Sequence, residues 1–104
     1  MTDTVDLVVV TMTFDAVDGD RLVGVLANYV VLSRGHEGCR NIDLCSSSLT
    51  DDRFVVISKW DSPEAQRAHF DSPAMVAMAG ACRGILAGPP RIELWEGISA
   101  HDLA

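Results

Sequence analysis

Two side chains suited to chemistry lie nine positions apart in the middle of the chain. Trp60 ends an apolar run, and His69 follows it at the joint between two predicted helices. An imidazole titrates near neutral pH, so His69 could act as a general base that removes a proton from a phenol or another hydroxyl. The flat indole of Trp60 could stack on an aromatic ligand. The alternative is structural, with His69 capping helix carbonyls and Trp60 filling the core.

Other side chains could complete such a pocket. Phe54 and Val56 share a face with Trp60, because residues two apart on a strand point to the same side of a sheet. Tyr29 lies on the apolar stripe of a predicted helix and could present its hydroxyl to the pocket. Arg83, on the last predicted helix, could pair with a substrate carbonyl or a developing oxyanion. A solvent-facing arginine near a helix C-terminus is the alternative for Arg83.

The segments that must position these residues alternate between strand and helix patterns. The predicted elements are a strand over 6–14, a helix over 18–34, strands over 39–46 and 53–60, helices that begin at Pro63 and Pro73, and a strand over 91–98. This βαββαβ order predicts an α+β, ferredoxin-like fold, with a four-stranded antiparallel sheet and helices on one face. The other face carries apolar residues such as Val55 and Ile57. We therefore expect a homodimer in which a second copy covers this sheet face.

Composition limits the classes of function. The chain has 104 residues, which suits a single domain over 1–104, and a net charge of -7. Such acidity argues against nucleic acid or an anionic membrane surface as a partner, because phosphate contacts need clustered basic residues. Cys39 and Cys45 fall six residues apart on one predicted strand, roughly 20 Å, which is too far for a disulfide. Reduced thiols, an acidic start and short apolar runs predict a cytoplasmic protein without a membrane span.

Two common cofactor patterns are missing from the sequence. The glycines after the first strand do not form the phosphate-binding G-x-G-x-x-G pattern, so a Rossmann cofactor is not predicted. The cysteines lack a partner histidine or a second Cys-x-x-Cys at ligand spacing, so a zinc site is not predicted either.

Three segments in order resemble one known family. "EGC" at 37–39, "RFVVISKWDSPEAQRAHFDSP" at 53–73 and "GPPRIELWE" at 88–96 are similar to the antibiotic biosynthesis monooxygenase domain, a dimeric ferredoxin-like α/β barrel. The resemblance covers nearly the whole chain. It implies a cofactor-independent monooxygenase that oxidises a small aromatic quinol or polyphenol, with dioxygen as co-substrate. In that scheme His69 takes a phenolic proton while Trp60, Phe54 and Tyr29 hold the ring.

The chain departs from the family pattern at two positions. Val56 stands where quinone-forming members carry an asparagine that holds the substrate oxygen, and Ala74 stands where a second histidine is common. Both losses favour an alternative in which the protein is a non-catalytic dimer that binds a small ligand.

Two further reactions of the superfamily make distinct predictions. Isomerisation of a small phosphorylated sugar-like signal would need phosphate contacts from Arg53 or Arg83. Heme degradation is disfavoured, because His69 occupies the position of a tryptophan in the heme-degrading branch, and Met78 and Ala79 stand where that branch places its heme-ligating histidine.

Overall fold

The computed structural model describes residues 7–98. Its elements are β1 (Val8–Asp15), α1 (Gly19–Ser33), β2 (Cys39–Ser46), β3 (Arg53–Trp60), α2 (Pro63–Phe70), α3 (Pro73–Ala81) and β4 (Arg91–Glu96). The strands form one antiparallel sheet in the order β2-β3-β1-β4. The predicted ferredoxin-like α+β fold is confirmed.

Serine caps and prolines fix the starts of the two short helices. Ser62 accepts a hydrogen bond from the Ala65 backbone N–H at 3.1 Å, and Ser72 accepts one from that of Met75 at 3.2 Å. A proline occupies the start of each helix, where no backbone donor is lost. The last turn of α2 places His69 against Trp60 at the end of β3.

The core lies between the helices and one face of the sheet. Alternate residues of β1 and β3 are buried there, in keeping with the period of two of a strand. The core is formed by Val8, Val10, Met12, Phe14, Leu22, Leu26, Tyr29, Val30, Ile42, Val56, Trp60, Met78, Cys82 and Ile85. Trp60 pairs with Val8 on one side and Cys39 on the other, so it is buried at the end of the sheet where β1 begins and β3 ends.

The helices leave the other face and β4 uncovered. Every residue of β4 is exposed, and the indole of Trp95 is held by a hydrogen bond from its Nε1 to Thr11 Oγ1 at 3.2 Å. Val55 and Ile57 on the central strand are only half-buried. The predicted open apolar face therefore exists in the single chain. Within residues 7–98, no helix is both long and apolar enough to cross a membrane.

Candidate functional site

Three aromatic side chains converge at one end of the core. The Tyr29 hydroxyl and His69 Nε2 are 2.5 Å apart. The imidazole of His69 stacks on the indole of Trp60, with ring centres 4.5 Å apart and planes inclined by 27°. None of the three side chains is more than 2% exposed. Residues from α1, β3 and α2 thus form one buried cluster, which we call the Tyr29–His69–Trp60 cluster.

Local structure orients each member of the cluster. Tyr29 belongs to the apolar stripe of α1 that packs on the sheet, and His69 lies in the last turn of α2. The Trp60 indole donates its N–H to Ser58 Oγ at 2.9 Å, a residue on the same face of β3. Because its N–H is already paired, the indole presents an apolar ring to His69.

Burial determines the protonation states of Tyr29 and His69. Burial, with a smaller contribution from His36, lowers the pKa of His69 from its usual 6.5 to about 4. Burial likewise raises the pKa of Tyr29 to about 12. Both groups are therefore neutral at pH 7, with the phenol as donor and Nε2 as acceptor.

This arrangement leaves two polar atoms without partners. Since Nε2 accepts from Tyr29, the imidazole proton lies on Nδ1, and that atom is buried with no hydrogen-bond partner among residues 7–98. The buried Ser33 hydroxyl, one helical turn after Tyr29, is close enough to lower the phenol pKa slightly but makes no hydrogen bond of standard geometry within the same residues. Unpaired buried donors are uncommon in proteins, and each calls for an explanation such as a catalytic role or a bound water or ion.

A second histidine joins the cluster from the turn after α1. The ring of His36 meets that of His69 edge to face, at 4.8 Å between centres and 84° between planes. Its backbone N–H donates to the Ser33 carbonyl at 3.0 Å, and its carbonyl accepts from the Cys39 N–H at 3.1 Å. The turn ends at Gly38, whose φ of 82° favours glycine. His36 is thereby held beside a ring that lies 33 positions later in the chain.

The sequence interpretation gave His36 no role, because a histidine in a glycine-bounded turn needs none. The signal that could have found it is the pairing of β2 with β3. Cys39 opens β2 and lies opposite Trp60, so a side chain three residues earlier must come close to the end of β3.

A groove of about 630 Å³ runs between α1 and α3. Its walls are formed by Asp20, Arg21, Gly24, Val25, Asn28, Tyr29, Leu32, Ala74, Ala77, Met78, Ala81 and Ile85. Tyr29 is the residue that the groove shares with the buried cluster. The expected hollow between the indole and the imidazole is absent, because those rings stack directly. The open space lies instead between the helices and reaches the cluster at Tyr29.

The other predicted binding residues lie away from the cluster. Phe54 is at the opposite end of β3, about 20 Å from Trp60 at the usual strand rise, and lines a separate hollow of about 470 Å³. Val56 is fully buried in the apolar core. Arg83 is exposed in the turn after α3 and does not line the groove. The arginine that lines the groove is Arg21, which the sequence interpretation did not select.

The arginine proposed for a phosphate contact is already engaged. Arg53 donates to both carboxylate oxygens of Asp15, at 2.7 and 3.3 Å, and this pairing holds the pKa of that carboxyl below its usual range. It also lies at the Phe54 end of β3, far from His69. Residues 7–98 contain no group of three or more metal-ligating side chains, and their three cysteines are unpaired.

A family model described as antibiotic biosynthesis monooxygenase matches residues 7–81. The chain belongs to the antibiotic biosynthesis monooxygenase family. No curated protein matches the chain in sequence.

Solved structures place this family member among proteins of the same fold. A candidate antibiotic biosynthesis monooxygenase from Nitrosomonas europaea is 13% identical with a TM-score of 0.85, over 95% of this chain and 97% of the other. A Mycobacterium tuberculosis protein is 21% identical with a TM-score of 0.83, over 92% and 99%. SnoaB from Streptomyces nogalater, described as a cofactor-independent oxygenase, is 19% identical with a TM-score of 0.80, over 91% and 96%. At these identities the likeness shows the fold alone.

Proposed function

We propose that this protein is a cofactor-independent monooxygenase that oxidises a small aromatic quinol or polyphenol with dioxygen. The observation that carries the proposal is the position of Tyr29, which lines the groove and is hydrogen-bonded to a buried neutral imidazole. Membership of the family and the fold shared with SnoaB, a cofactor-independent oxygenase, support it.

The groove suits a small aromatic ligand. Its volume of about 630 Å³ lies within the roughly 300–1,000 Å³ usual for small-molecule sites. Much of its wall is small or apolar, with Gly24, Ala74 and Ala77 as examples, so a flat ring can approach the helix backbones. Arg21 and Asn28 supply polar groups at the same groove. A substrate bound here meets Tyr29 before it meets His69.

Proton removal passes through Tyr29 in this arrangement. The Tyr29 oxygen accepts the phenolic proton of the substrate as its own proton moves to His69 Nε2. The resulting phenolate is electron-rich and reduces dioxygen directly. For a phenol with a ring C–H at the reacting carbon, the O–H and C–H hydrogens and one oxygen atom leave as water. The second oxygen atom becomes the new carbonyl of the quinone, so the substrate supplies all the electrons.

The basicity of His69 restricts the substrates that can react. An ordinary phenol titrates near 10 and His69 near 4, so the transfer is uphill by about six pKa units, or about 8 kcal/mol. Attraction between a phenolate and an imidazolium about 5 Å apart returns roughly 3 kcal/mol at an effective dielectric constant near 20. The free-energy cost that this attraction does not offset favours polyphenols whose hydroxyls are more acidic than that of phenol itself.

Oxygen uptake tests the proposal directly. A panel of hydroquinones that carry a ring C–H and span several units of phenol pKa should show oxygen uptake that rises with acidity, with hydroxyquinone, which contains the newly inserted oxygen atom, formed in equal amount. Tyr29→Phe and His69→Gln should each abolish most of the turnover, whereas Arg83→Gln, outside the groove, should leave it unchanged. Absence of turnover across the panel, or full turnover by both cluster variants, would refute the proposal.

One observation favours a second candidate, a non-catalytic protein that binds a small ligand. Trp60 and His69 stack on one another and do not line the groove, so neither can contact a ligand bound there without movement. Val56 adds no hydrogen-bonding group to this end of the site. Thermal shifts with aromatic ligands, together with the absence of product by mass spectrometry, would identify this alternative.

The uncovered sheet face supports a homodimer. Val55 and Ile57 lie half-buried on that face, and the exposed Trp95 lies on β4 beside it. Members of the family are generally dimers. We therefore expect a second copy of the chain to bury these apolar side chains.

A further inference from the structure

His36 contacts the Tyr29–His69–Trp60 cluster from the turn after α1. Its ring touches the His69 ring edge to face at 4.8 Å, yet it is only half-buried. The three members of the cluster are at most 2% exposed. The proposed proton transfer does not use this residue, although it lies against the base on which that transfer depends.

We propose that His36 is a positioning residue for His69, and that its ring and its charge keep the neighbouring imidazole neutral, so that Nε2 stays the acceptor of the Tyr29 hydrogen bond. This inference rests on the proposed function of the cluster. The His36 side chain need not touch the substrate for this role, because it acts through the imidazole beside it.

Few other charges face His69. The groups around its ring are Tyr29 from α1, Trp60 from β3 and, beside Tyr29, Cys39 from β2. Burial raises the pKa of both the phenol and the thiol, so both stay neutral at mildly acidic pH. The α3 segment carries no charged residue. Among residues 7–98, His36 is the neighbour whose charge acts on the pKa of His69.

The charged neighbours of His36 and of His69 along the chain are exposed. Arg34 and Glu37 flank His36 in the turn, and Arg67 and Asp71 flank His69 near the end of α2, all on the surface. Solvent screens charges in such positions strongly. A positive charge on the His36 ring opposes a second positive charge on the His69 ring, 4.8 Å away.

The same contact fixes the tautomer and the orientation of His69. While the imidazole is neutral, Nε2 can accept the Tyr29 hydrogen bond and the ring can stack on Trp60. Protonation of Nε2 would turn two donors towards each other and break the hydrogen bond. Any group that disfavours the imidazolium therefore preserves the hydrogen bond from Tyr29 to His69 Nε2 in the resting protein.

A pH titration of the histidine ring nitrogens by NMR, on the full chain, tests the inference without any need for activity. In wild type we expect His69 in the Nδ1–H tautomer. In His36→Gln its pKa should rise by at least about 0.5 unit, since a unit charge at this distance is worth that much even at high dielectric constant. In His36→Lys, which restores a positive charge, the His69 pKa should lie below that of the Gln variant. Glu37→Gln is the matched control in the same exposed turn.

A purely structural role of His36 would give a different order of His69 pKa values among the variants. If the His69 pKa in His36→Gln lies within about 0.2 unit of wild type, or if the Lys and Gln variants titrate alike, the inference is wrong. Turnover is a separate readout. If no quinol is oxidised but the titration order is Gln above Lys, the proposed function fails while the role of His36 in setting the state of His69 stands.

Discussion

Acid should destabilise this fold through His69. The buried imidazole takes up a proton near pH 4 in the folded state and near 6.5 in the unfolded chain. Between these values the unfolded state binds more protons, so the free energy of unfolding falls as the pH falls, by about 1.4 kcal/mol per unit. The full contribution, present above pH 6.5, is about 3 kcal/mol and is lost by about pH 4. For a domain of this size that is a large share of a total stability of roughly 5–15 kcal/mol.

Urea unfolding at pH 7.5, 6.5, 5.5 and 4.5 measures this loss. His69→Phe keeps a flat ring against Trp60 but cannot titrate, so its stability should depend on pH less steeply than that of wild type. The two curves should differ in slope by about 1 kcal/mol per unit between pH 6 and 4.5. Any difference in the free energy of unfolding that does not change with pH reflects the loss of the hydrogen bond between Tyr29 and His69.

A matched control uses the same helix. Arg67→Gln changes an exposed residue of α2 and should follow the wild-type pH dependence. Parallel curves for wild type and His69→Phe would show that the imidazole titrates normally, and the description of a buried neutral His69 would be wrong.

Three further outcomes are expected. Tyr29→Phe leaves His69 Nε2 buried and unpaired, so unfolding measurements should show a loss of about 1–3 kcal/mol and kcat for quinol oxidation should fall more than KM changes. Gly38→Ala places a Cβ at φ 82° against the start of α2 and should cost about 1–3 kcal/mol, whereas Gly35→Ala, with open space around it, should change stability by about 0.5 kcal/mol or less. Val55→Lys should shift the mass from light scattering towards a monomer, and an unchanged mass would count against dimerisation through the sheet face.

The order of elements could be predicted because each element carries its own local signal. Serine caps, N-terminal prolines and alternation along β3 act within a few residues, and they place His69 at the joint between α2 and α3. Tyr29 could be assigned to the core from the spacing along α1. The meeting of Tyr29 with His69 could not be predicted, because it spans 40 positions and depends on how two helices pack.

The period of two along a strand shows which residues share a face of the sheet, but it does not show at which end of the strand a site lies. Phe54 and Trp60 share a face of β3, and a pattern of alternate residues treats them alike. They lie six residues apart, so one pocket cannot readily include both. The contact of His36 with His69 could not be predicted for a different reason, since a turn has no period and its side chain is placed by the strand pairing that follows it.

The groove depends on α3 being made of small residues. An apolar helix of this kind would ordinarily be buried in the core. In α3, however, only Met78 is buried, while Ala77, Ala81 and Val76 are exposed. Helices pack at 8–10 Å when side chains fill the space between them. With alanine facing Gly24 of α1 across the groove, the space stays open and reaches Tyr29. Tyr29 thus lines the open groove and also belongs to the buried cluster. In the proposed reaction, this position would let a substrate in the groove pass a proton through Tyr29 to His69 in the core.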